Sequence, residues 1–145
     1  MRVLLLLTLL SPLCPLPCAT AQEAILGRWQ TIDEDSGEAR SVIEIYRRGD
    51  KYFGKIAEIL TDNKDALCTE CEGKDKNRPI LGLIIIKDLA YDGDDEFSGG
   101  SIFDPQKGAS YRLSAWTEDD EPGILYIRGK HWTGLYRTQR WRRAE

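Results

Sequence analysis

Four residues of the chain have the chemistry for catalysis or metal binding: Cys68, Cys71, Asp104 and His131. The two cysteines stand three apart in CTECEGKDKNRPILG (residues 68–82), a spacing that suits a dithiol redox centre, half of a zinc site or a small structural staple. Zinc wants four N, S or O ligands in a tetrahedron, and the pair together with Asp104 and His131, the single histidine, can formally supply them. A thioredoxin-type centre wants its first cysteine at a helix N-terminus near a βαβ pattern, and neither is visible. The compartment decides among these readings, because oxidising surroundings turn paired thiols into a disulfide.

The N-terminus speaks to that compartment. Residues 1–21, MRVLLLLTLLSPLCPLPCATA, carry one basic residue, an apolar run from Val3 to Leu10 and Ala19-Thr20-Ala21 before Gln22. This is the pattern of a cleaved secretory signal peptide, and the apolar run is too short to span a bilayer. Pro12, Pro15 and Pro17 oppose a buried helix instead, and Pro17 stands where a lipid-attachment signal at Cys18 wants a small residue. Removing 21 of 145 residues leaves 124, residues 22–145, one domain by length. Cys14 and Cys18 leave with the segment, so two of the four cysteines remain, an even pair that points to a Cys68–Cys71 disulfide. Of the 20 basic residues only Arg2 is lost, so 19 face 24 acidic ones and the net charge moves from −4 to −5. That balance gives no nucleic-acid footprint. The longest later apolar run, Ile80 to Ile86, is seven residues, which excludes a second helical span. A periplasmic or secreted protein is expected.

The elements that must position the four residues are strands. GRWQTI (27–32), RSVIEIYRR (40–48) and KYFGKIAEIL (51–60) alternate between turn-rich stretches, and Gly49-Asp50 reads as a hairpin turn. ILGLIIIKDL (80–89) is apolar on both faces, with a bend expected at Gly82. EFSGGSIF, ASYRLSAW, GILYIRG and HWTGLYRTQRWRR complete eight strands with short connections. The reading is all-β, and eight strands in up-and-down antiparallel order close into a barrel that holds packed side chains or one small ligand. Parity then puts Cys68, Cys71, Asp104 and His131 on one rim and the acidic turns DGDDE (92–96) and EDDE (118–121) at the other end. Neither acidic turn has the calcium spacing of an EF-hand. Glu44, Arg112 and Arg128 interrupt the apolar alternation, and any of them that points inward needs a partner.

In order, GRW, SVIEIY, GKI, CTEC, NRPILG, SGGSIFDPQKGASY, IRG and RTQRW resemble domain-of-unknown-function family 2147, exported bacterial proteins with a lipocalin-like barrel. The resemblance covers nearly all of residues 25–143. It implies that Gly27 and Trp29 belong to a Gly-x-Trp signature in which the tryptophan closes the barrel floor against an arginine of the last strand. Arg143 is the first choice, ahead of Arg137 and Arg142. One element departs from the family pattern, since Ala109 stands where DPxxGKxY has lysine. The family carries no assigned biochemical function, so the resemblance implies a fold and an address rather than an activity.

Binding rather than catalysis is therefore the expectation: a small amphipathic ligand in the barrel, or an envelope partner at the rim loops, with Asp104, His131 and Trp132 as rim candidates. No catalytic residue, metal or cofactor is assigned. The alternatives are a redox or metal-dependent accessory activity at the CxxC rim and a solid-core inhibitor or structural envelope protein.

Overall fold

The computed structural model describes residues 20–145, so the signal peptide expected over residues 1–21 lies, up to residue 19, outside the described residues. A four-residue helix, α1 (Ala21–Ala24), leads into β1 (Gly27–Ile32), β2 (Ala39–Arg48), β3 (Lys51–Ile59), β4 (Ile84–Gly93), β5 (Glu96–Asp104), β6 (Ala109–Thr117), β7 (Ile124–Lys130) and β8 (Tyr136–Arg143). Each strand pairs antiparallel with the next and β8 pairs back to β1, closing the barrel. Among the described residues no helix is long and apolar enough to cross a membrane.

Local chemistry fixes the turns at one end. Gly49 (φ 64) takes the first central position of the β2–β3 hairpin, where only a residue free of Cβ sits without strain. Asp94 (φ 50) and Asp95 (φ 62) are both left-handed in the β4–β5 turn, so part of the DGDDE cluster is turn chemistry. Register shifts between Tyr52 and Lys55 and between Phe97 and Gly100 bend the strands around the barrel.

Two strands start later than the sequence suggests. β4 begins at Ile84 because the chain turns at Gly82 (φ 85), whose N–H donates to the Ile56 carbonyl at 2.7 Å. β8 begins at Tyr136 because Gly134 (φ 94) forms a tight loop in which the His131 N–H donates to the Leu135 carbonyl at 2.7 Å. Trp132 is thereby on a connecting loop rather than in the last strand.

The inward positions bury a core that includes Ile25, Trp29, Ile45, Tyr52, Leu89 and Phe97. Tyr52 and Phe97 meet edge to face at 5.0 Å, a favoured aromatic geometry. No charged or polar residue is buried among those described. Glu44 pairs with Lys55 at 2.8 Å on the outer face. Arg128 lies 4.8 Å from both the Trp116 and Tyr136 rings, also outside.

Candidate functional site

The two ends of the barrel are built differently. At the floor, the Trp29 indole N–H donates to the Ile25 carbonyl at 2.9 Å, and Ile25 is fully buried beneath the strands. The Arg143 guanidinium lies 3.9 Å from the Trp29 ring, directly across the β1–β8 pair, and donates to the carbonyls of Leu26 (2.7 Å) and Ala24. A delocalised cation can stack on an indole and still use its in-plane donors, which is why this position suits arginine. Burial pushes the Arg143 pKa down from its ordinary value. Gly27 (φ 107) passes under the same guanidinium, and a Cβ there would lie 3.1 Å from Arg143 Nη1. Arg142 pairs across from Gln30, and Arg137 is at the other end of the barrel.

At the mouth the interior is open. A cavity of about 1030 Å³ descends between the strands to Ile43, Ile56, Ile85, Ile127 and Trp141. Above that apolar base the wall is mixed, with Thr31, Ser41, Tyr111 and Gln139 set among Ile59 and Ile102. The Thr31 and Ser41 hydroxyls bond each other at 2.8 Å, and Gln139 Oε1 accepts from the Trp141 indole N–H at 3.2 Å. Charged side chains ring the opening as pairs: Arg40 with Asp33 (2.9 Å), Arg137 with Glu34 (Nε to Oε2, 3.1 Å) and Lys107 with Asp104 (3.9 Å). The Ser36 backbone N–H and then Arg40 hold the Asp33 carboxyl below the usual range, and Glu34 raises Arg137. A smaller groove of about 410 Å³ outside β1–β3 is lined by Arg28, Glu58 and Arg143 around Val42 and Leu60.

Asp104 and His131 both line the mouth. Asp104 accepts from the N–H groups of Gln106 (2.9 Å) and Lys107 (3.3 Å), so its carboxylate organises the β5–β6 turn. His131 Nδ1 is 2.9 Å from Thr133 Oγ1, and its ring tilts against Tyr111. Trp132 does not line the cup and projects outward, 87% exposed.

Cys68 and Cys71 form a disulfide, and both residues are buried. The segment folds on itself through Cys68 N–H to Arg78 O (2.8 Å) and Asn77 N–H to Cys68 O (2.9 Å). It also docks on the β5–β6 turn, where Gly108 (φ 64) passes so close that a Cβ would lie 2.5 Å from the Glu70 carbonyl oxygen. Thiol exchange needs a sulfur that an attacking thiolate can reach, and this burial withholds it. Among the described residues no three His, Cys, Asp or Glu side chains cluster as a metal site. The disulfide closes a loop that packs behind the β5–β6 turn, whose Asp104 to Lys107 line the mouth.

The sequence reading missed the Ile25 plug, the paired arginines at the opening and the polar collar. Gln139, Tyr111 and Thr31 all stand on the inward parity of their strands, which was a usable signal. The ion pairs join separate strands and loops and left none.

The sequence profile of the family described as "Uncharacterized protein conserved in bacteria (DUF2147)" matches residues 27–143. The chain belongs to DUF2147. Among solved structures, this DUF2147 barrel is similar to one described as "Protein HP1028 from the human pathogen Helicobacter pylori belongs to the lipocalin family", with a TM-score of 0.72, 19% identity and 83% of each chain covered. That likeness shows a lipocalin-like fold. No curated protein matches the DUF2147 chain in sequence.

Proposed function

We propose that the protein is an exported binding protein that takes a small amphipathic molecule, apolar end first, into the mouth of its barrel. The observation that carries the reading is the cavity of about 1030 Å³ with an isoleucine and tryptophan base and a polar collar. Its volume is at the upper end of small-molecule sites, and polar groups join the apolar wall only towards the opening, which suits a molecule with one apolar and one polar end. Burial of an alkyl chain contributes roughly 0.8 kcal/mol per methylene, so a short chain reaching the base suffices for measurable affinity. The buried disulfide is compatible with an extracytoplasmic address.

The test is a titration with a twelve-carbon alkyl maltoside below its micellar concentration, followed by native mass spectrometry and by the emission of Trp141 at the cup base. Saturable one-to-one binding that falls at least about tenfold in Ile102→Trp, which fills the cup, supports the reading. Absence of binding, or equal affinity in the filled variant with an unchanged melting temperature, overturns it.

A further inference from the structure

The outer wall below the mouth carries a row of cations that no ion pair explains. Cross-strand register aligns Lys87 with Ser101, Ser101 with Arg112, Arg112 with Lys130 and Lys130 with Tyr136, placing these side chains in one band across β4–β8. The inward parity of these strands is held by residues such as Leu113 and Ile127, so the band faces solvent. Lys87, Arg112 and Lys130 belong to none of the salt bridges among the described residues, whereas Arg137 and Arg140 on β8 each pair with a glutamate. Arg112 and Lys130 stand directly opposite each other, and like charges in that position are destabilising. A chain of net charge −4 thus keeps adjacent unpaired cations together at a cost.

The band runs into the most exposed large apolar side chains among the described residues. Lys130 ends β7, and the loop and strand start beyond it present Trp132 at 87%, Leu135 at 76% and Tyr136 at 65% exposure. Cations beside a protruding tryptophan and leucine match the two layers of an anionic bilayer surface. Lys and Arg are attracted by the headgroup charge, and Trp partitions to the headgroup level. A soluble acidic partner would use the cations but leave the apolar tip unanswered.

We propose that this edge of the barrel, the Lys87–Arg112–Lys130 band with the Trp132 and Leu135 tip, docks on an anionic lipid surface. Docked this way, the mouth opens beside the bilayer. The inference does not depend on the cup being a binding site.

Co-sedimentation with vesicles of phosphatidylcholine containing 30% phosphatidylglycerol, against pure phosphatidylcholine, tests it at low and high salt. Comparison of variants with wild type cancels any contribution from residues 1–19. Wild type is expected to bind the anionic vesicles, more weakly as salt rises, with a blue shift of tryptophan emission that Trp132→Ser removes. Each of Arg112→Gln and Lys130→Gln should weaken binding about fivefold, with melting temperatures unchanged or raised. Equal binding to both vesicle types, or wild-type affinity in the Arg112→Gln/Lys130→Gln double variant, overturns the proposal. Binding to soluble polyglutamate as tight as to anionic vesicles, with no shift of Trp132 emission, overturns it too and assigns the band to an acidic protein.

Discussion

At the floor of the barrel, Trp29 and Ile25 fill the interior and bond each other, and Arg143 caps them from outside by stacking on Trp29 and donating to the Leu26 and Ala24 carbonyls. At the mouth the same strands enclose a cavity of about 1030 Å³. The difference lies in side-chain volume and in what covers the end. α1 and Arg143 seal the floor with hydrogen bonds to backbone carbonyls, whereas the mouth is bordered by loops that surface ion pairs and a small disulfide order without filling the opening. One end is packed closed and the other leaves packing unmade, which is the arrangement that the proposed ligand site would need.

The comparison breaks if substitutions at the two ends have similar costs. Trp29→Ala should be the most damaging change, destabilising by about 3–5 kcal/mol in denaturant unfolding, because a fully buried indole is lost and the Ile25 carbonyl loses its donor. Arg143→Met should follow at roughly 1–3 kcal/mol, since it strands the Leu26 and Ala24 carbonyls. Arg143→Lys should recover only part of that, because an ammonium lacks the planar fork that stacks and donates at once.

Opening the disulfide by Cys68→Ser/Cys71→Ser should lower stability by about 2 kcal/mol or less, because the closed ring is small. Its larger signature is faster amide exchange in residues 68–82 with the floor unaffected. Ile102→Ala, which faces the cup rather than the packed end, should cost about 1 kcal/mol or less, well under a floor truncation, because no new enclosed void is created. A loss of 3 kcal/mol there would mean that the mouth is as tightly packed as the floor.

The smallest effect is one of pH. Asp33 is held below its ordinary pKa by the Ser36 N–H and by Arg40, so its contribution is present above the unfolded carboxylate pKa. That contribution is lost as pH falls through the lower folded value. The β1–β2 loop should therefore loosen only below the ordinary aspartate range, visible as a Ser36 amide shift that Arg40→Gln moves to higher pH. An Asp33 titrating at its ordinary value would remove the loop from the account.

Much of the floor was legible only through the family resemblance, which pairs the Gly-x-Trp tryptophan with an arginine of the last strand, and closure of the barrel is the physical reason that the pairing holds. Trp29 near the start of the first strand and Arg143 near the end of the last must meet on closure. The mouth was legible only as a set of loops. Asp104 and His131 share it, yet Trp132 turns away because Gly134 bends the chain before β8 starts. Ile25 was hidden because a plug is identified by what lies above it, and Arg137 because its partner Glu34 is 103 residues away in the chain.

What the chain determined by itself is the strand order, the inward parity and the proximity of Cys68 to Cys71, since each follows from alternation and short-range spacing. Tertiary structure alone decided that one end is filled and the other open. That outcome depends on the volumes that eight strands jointly bring to each level of the barrel and on bulges that set their tilt, quantities that no single segment carries.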